Sequence, residues 1–258
     1  MTYRYGLKPP RVGAIKLRMA TYCNYSSLPT PPEEFGHEDI ISDWGMMAND
    51  RVGCCAFAAP CHQQMLWDGE AKTPVSFSDN TVLKNYASVT GYDPAKTDAN
   101  GNNPTDQGTD IQAMAKYWQN VGMLDDAGGR HKIVAYVDLN PGDLRELWTA
   151  TWLFQSTTLA FQMPESAQRQ FSEGQPWDIE FFDRIEGGHC VPCVGRKGGL
   201  NLAVTWGRLQ PFTDRWYERN SVGGVVALSD EMMVNARSID GFDDELLRAD
   251  LAKFGGAA

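Results

Sequence analysis

The sequence predicts an α+β fold, and three observations carry it. Apolar residues recur at helical spacing through the first half, over 55–67, 79–88 and 110–121. Continuous apolar runs crowd the second half, over 189–194, 200–206 and 222–228, with Gly195–Gly199 as a hairpin-type break between the first two. Helices therefore come first and antiparallel-type strands later, which excludes an alternating βαβ arrangement. No period of 20–50 residues repeats, which excludes solenoids and propellers.

Taken in order, residues 1–45 read as an extended arm, because Leu28-Pro29-Thr30-Pro31-Pro32 suits neither a helix interior nor a strand ladder. Gly53 suits a tight turn into a helix on which Phe57, Cys61 and Met65 share one face. Val82, Leu83, Tyr86 and Ala87 mark a second helix. Residues 91–108, rich in Gly, Asn, Asp and Pro, form a long polar loop. Thr109 is placed to cap the third helix, whose stripe is Ile111, Met114, Ala115 and Trp118. A strand is expected over 132–139, a turn at Asn140–Asp143, and a short helix carrying Leu144, Leu147 and Trp148. Thr157–Met163 is a strand closed by Pro164, 165–187 an irregular linker, and Phe212–Glu218 a short helix. The chain ends in an amphipathic helix over 243–254. The expected organisation is an arm (1–45), one α+β domain (46–236) and a C-terminal helix and tail (237–258).

Composition narrows the function. Lys plus Arg is 23 against 33 Asp plus Glu, a net charge of −10, with no basic cluster, so nucleic acid is not an expected partner. The apolar runs are too short to span a bilayer, and Met1–Arg11 lacks the apolar core of an export signal, so synthesis in a reducing cytosol is expected. At 258 residues the chain buries enough surface to fold without a disulfide scaffold or a metal, and no cofactor is expected. Cys190 and Cys193 form a Cys-x-x-Cys, but a strand would put them on opposite faces, a poor geometry for zinc.

Chemistry concentrates in two segments. In Asn49-Asp50-Arg51-Val52-Gly53-Cys54-Cys55 a cysteine stands at the first turn of an apolar helix, where free N–H groups and the helix dipole favour a thiolate. A thiolate is a nucleophile for acyl transfer. Asn49, six residues before Cys55, offers an amide N–H to a developing oxyanion. Far downstream, His189 opens an apolar strand in Gly187-Gly188-His189-Cys190 and is the candidate base. Val194 and Gly195 close that strand, and Thr205-Trp206-Gly207 follows it.

At these residues the sequence resembles the papain-like cysteine peptidase superfamily, which carries an amide donor six residues before a helix-starting Cys, a His opening a barrel strand, and a later Asn-Ser-Trp-Gly turn. The resemblance implies nucleophile Cys55, base His189, oxyanion donor Asn49 and a water-excluding Trp206 over the imidazole. Asp43-Trp44 also has a counterpart near the mature start of such enzymes. The chain is more closely similar to papain-fold proteins of tailed phages and prophages. Those share a Pro-rich arm, an Asn-Asp-x-x-Gly-x-Cys segment, a Thr-Asp-x-Gly loop (here Thr105–Gly108), and Gly-Gly-His and Thr-Trp-Gly motifs. The likeness spans roughly residues 25–235. Cys54 stays open as the nucleophile, since the Cys-x-Ala-Phe string aligns to it, while the distance from Asn49 selects Cys55. Val204 stands where the family has its imidazole-orienting Asn, and Thr205 is the candidate substitute.

The resemblance therefore implies a papain-like helical subdomain packed on a barrel-like antiparallel sheet, with a cleft between them. It leaves two functions open. One is a cysteine hydrolase acting on a peptide or isopeptide bond of a protein substrate. The other is a phage structural or accessory protein with a weak or inactive cleft. The phage likeness implies synthesis in the host cytoplasm and a place in the virion, with the arm and terminal helix as assembly contacts.

Overall fold

The computed structural model describes residues 3–11, 13–15, 17–28 and 30–229, together with Glu245, Leu246 and Ala249. Those last three are helical; the rest of the helix expected over 243–254 lies outside the described residues.

The N-terminal stretch is largely extended and lies on the body of the protein, burying Leu7, Ile15, Leu17, Met19, Tyr22 and Leu28. It contributes one helical turn, α1 (Met19–Tyr22), and a short strand, β1 (Phe35–Gly36). Helices α2 (Cys55–Glu70), α3 (Asp79–Thr90) and α4 (Ile111–Asn120) follow, then a two-strand ribbon of β2 (Met123–Leu124) and β3 (Arg130–His131). The second half holds β4 (Ala135–Asp138), α5 (Leu144–Phe154), β5 (Thr157–Pro164), α6 (Ser166–Ser172), β6 (Ile185–Lys197), β7 (Leu200–Thr205), β8 (Arg208–Phe212), α7 (Asp214–Asn220) and β9 (Ser221–Leu228). The fold is α+β, as expected. The linker expected over 165–187 contains α6, and the helix expected at 212 starts at Asp214 because Phe212 ends β8. The helix over 111–120 is capped by Asp110, whose Oδ1 accepts the Ala113 N–H at 2.9 Å, and not by Thr109.

The strands form one antiparallel sheet in the order β4-β9-β5-β6-β7-β8, with β1 added to β6. β6 decides where the site lies. One edge pairs with β5 from Ile185 to Cys193, while β7 joins the other edge only from Cys193 onward. The stretch carrying His189 therefore has an edge that the sheet leaves uncovered, and Pro192 sits just before the β7 ladder begins. α2 packs against that stretch. Its residues from Cys55 to Gln64 are buried on all faces, so it is a central helix held by packing, despite Pro60 in its interior. One core lies between α2, α3, α4 and the sheet; a second, rich in aromatics, lies under α5, α6 and α7. No helix among the described residues is long and apolar enough to cross a membrane.

Candidate active site

The imidazole is set by a turn. Trp206 and Gly207 link β7 to β8 and both have positive φ (46° and 79°), as a type I′ hairpin turn requires. Glycine meets this freely; a tryptophan there is strained and must be held by its surroundings. The turn lays Trp206 on the His189 ring, with centroids 4.8 Å apart and planes 22° from parallel. Thr205, the last residue of β7, places its Oγ1 2.7 Å from His189 Nε2. Thr205, and not Val204, is the residue that meets the imidazole; Val204 packs with Trp44, Leu66, Val194 and Leu202. His189 Nδ1 is buried and has no partner among the described residues. If Nε2–H donates to Thr205, the Nδ1 lone pair is free to take a proton. Burial with no compensating charge lowers the His189 pKa to about 3.

The thiol is set by a helix start. Cys55 opens α2 and is fully buried, its sulfur against backbone groups of Cys190, Gly6 and Ala56. Cys190 follows His189 directly in β6, so the Cys55 sulfur meets the strand that carries the imidazole. Burial raises the Cys55 thiol to about 11, and the backbone groups oppose that rise. Cys54 occupies the N-cap position and points elsewhere, its Sγ donating to the Met47 carbonyl at 3.4 Å. Burial pushes its thiol well above the ordinary range. Asn49 is buried in the preceding loop, and its Oδ1 has no partner among the described residues. The loop is strained: Met47 and Ala48 both have left-handed φ (57° and 58°). Asp79 holds it, accepting the Ala48 N–H at 2.8 Å and pairing with Arg51 at 2.8 Å.

Sequence reasoning missed two features. The first is Asp106, in the Thr-Asp-x-Gly loop, whose carboxylate accepts the Gly53 N–H (3.0 Å) and the Tyr86 hydroxyl (2.7 Å) beside the start of α2. The second is that the groove is filled. Residues 3–8 run through it, with Arg4 N–H donating to Asp50 O (3.2 Å) and Leu7 N–H to Gly188 O (2.9 Å) on the uncovered edge of β6. Thr109 N–H donates to Gly6 O and Lys8 N–H to Thr109 O, a parallel pairing. Tyr3 stacks on Trp206 at 4.3 Å, and Tyr5 lies 5.7 Å from the His189 ring. Gly6 carries the segment past the Cys55 sulfur, and a Cβ on it would fall 2.0 Å from the Gly53 carbonyl oxygen, so no other residue fits.

Solved structures with this arrangement of helices and sheet identify the architecture. The fold is that of the papain-like cysteine proteases. Xylellain, a cysteine protease from Xylella fastidiosa, superposes with a TM-score of 0.65 at 14% identity, over 88% of this chain and 97% of that one. Recombinant stem bromelain precursor gives a TM-score of 0.54 at 14% identity, over 89% and 78%. The digestive procathepsin L2 proteinase of Tenebrio molitor larval midgut gives 0.51 at 14%, over 88% and 84%. No protein-family model matches the sequence, and no curated protein matches it. In this papain-like fold Cys55 belongs to a helical wall, at the start of α2, and His189 to a sheet wall, in β6.

Proposed function

We propose that the protein is a papain-fold cysteine hydrolase of peptide or isopeptide bonds, held closed by its own N-terminal segment. The supporting observation is the imidazole: Nε2 is engaged by Thr205, Trp206 covers the ring, and Nδ1 alone is free on the strand that meets the Cys55 sulfur. In the reaction, Nδ1 takes the thiol proton and the sulfur attacks the substrate carbonyl carbon. The Asn49 amide and the backbone N–H groups at the start of α2 receive the developing oxyanion. The imidazolium then gives its proton to the leaving amine. Water, deprotonated by the same nitrogen, cleaves the thioester to release the acid and restore the thiol.

The closed state fits this reading. With residues 3–8 in the groove, thiol and imidazole are both fully buried, and burial holds both in their neutral forms. Two of the similar solved structures are likewise precursors. That same burial is the one observation favouring the second reading, a papain-fold protein without turnover. The phage origin and virion role rest on the sequence resemblance alone and are carried as part of this proposal.

The experiment is peptide hydrolysis, together with labelling by a thiol-reactive probe across pH, for protein whose arm is displaced by Gly6→Ala, alone and combined with Cys55→Ala or His189→Ala. Hydrolysis should vanish in both combinations, and labelling of Cys55 near neutral pH should collapse in the one with His189→Ala. Equal labelling of all six cysteines with no cleavage of any peptide would establish the second reading.

A further inference from the structure

The segment lying in the groove is also a template for what the groove accepts. Arg4 is held twice: its N–H donates to Asp50 O, and its guanidinium Nε lies 3.0 Å from Asp106 Oδ2. The Asp106 side chain is only 2% exposed, and its other donors, Gly53 N–H and Tyr86 O–H, are neutral. Arg4, by contrast, keeps 36% of its side chain exposed. A buried carboxylate without a cation is costly, so displacing the arm leaves a charge that the next occupant must match. Register is fixed as well, because two residues further on Gly6 passes the thiol where no side chain fits.

We propose that Asp106 is the specificity-determining residue of this groove, selecting a peptide that carries a basic side chain, Arg or Lys, two positions from the glycine that lies over Cys55. This rests on the groove being the reaction site proposed above. A neutral side chain at that position leaves Asp106 desolvated and unpaired; a guanidinium or ammonium restores a charge-assisted hydrogen bond there.

The test uses full-length Arg4→Gln protein, in which the arm no longer supplies the cation. Two peptides are added, acetyl-Tyr-Arg-Tyr-Gly-Leu amide and its analogue with neutral citrulline for Arg. Protection of Cys55 from iodoacetamide is then read by mass spectrometry. The Arg peptide should protect at concentrations about tenfold lower than the citrulline peptide. In Arg4→Gln/Asp106→Asn, where the amide oxygen still accepts from Gly53 and Tyr86, the two peptides should protect equally. Equal protection in Arg4→Gln, no protection by either peptide at millimolar concentration, or a preference that survives Asp106→Asn would overturn the assignment. Cleavage is scored separately. Selective protection without cleavage removes the hydrolase reading and leaves Asp106 as the selector; cleavage without preference does the reverse.

Discussion

The two walls of the groove are built by different physics. The sheet wall is packed. Trp206 stacks with His189 and Tyr3, meets Phe171 edge-on at 4.8 Å and lies 6.2 Å from Trp177, which stacks on Trp216 at 4.9 Å. The helical wall is tied. Its strained loop and the turn into α2 hang from two carboxylates, Asp79 on the Ala48 N–H and Asp106 on the Gly53 N–H. Aromatic packing is spread over many contacts, so it tolerates small shifts but fails when a large ring is removed. Carboxylate acceptors are directional and few, so each matters to one amide. Each wall also holds one fully buried histidine, His62 in α2 against the Gly45 carbonyl and His189 in β6.

Acid strikes both walls and should give the largest effect. Burial lowers His62 from 6.5 to about 4 and His189 to about 3. Below pH 6.5 the unfolded imidazoles bind protons that the folded ones refuse. The histidine contribution is therefore intact above pH 6.5, falls as pH drops, and levels off below about pH 3. The slope is about 1.4 kcal/mol per pH unit for each histidine. Denaturant midpoints measured between pH 7 and 4 should show it, offset below pH 6 by Asp138, which burial raises to about 6 so that the folded carboxyl takes up a proton there, and His62→Gln should reduce it. An unchanged slope in that variant would break the equivalence of the two walls.

Trp206→Ala comes next, at about 3–5 kcal/mol of stability by chemical denaturation, because it empties the centre of the aromatic shell. Asp79→Ala should cost roughly 1–3 kcal/mol, since it strands the buried Ala48 N–H. A larger loss from Asp79→Ala than from Trp206→Ala would reverse the contrast drawn between the walls.

The sheet wall was legible in the sequence and the helical wall's ties were not. Runs such as 189–194 and 222–228 are continuously apolar because β6 and β9 are buried on both faces there. β8 is five residues long and interrupted by Pro211, and α6 is seven, too short for either period to show. Cys55, Asn49 and His189 stood out because their chemistry depends on local context: a helix start, a spacing, a strand opening. Thr205 was visible as a stand-in for Val204. Asp79 and Asp106 act on backbone amides 31 and 53 positions away, and no local pattern encodes such a bond. The arm's place in the groove was hidden for a related reason. Its hold is mostly main-chain hydrogen bonding, which side-chain periodicity does not report, and its one steric requirement is a single glycine, Gly6.

The smallest effect separates two roles of one carboxylate. Asp79 accepts from the buried Ala48 amide through Oδ1 and pairs with Arg51 through Oδ2. The ion pair is half in solvent, with side-chain exposures of 55% for Arg51 and 37% for Asp79, so screening and the entropy of a long side chain offset most of its attraction. Arg51→Ala should therefore cost no more than about 1 kcal/mol, and the loss should shrink further in high salt. Ala48 is fully buried and has no water to turn to, so the amide bond carries the tie. Arg51→Ala and Asp79→Ala, measured side by side at low and high salt, should differ by at least a factor of two. Equal and salt-sensitive losses would mean that surface charge, not the backbone hydrogen bond, holds the loop that carries Asn49.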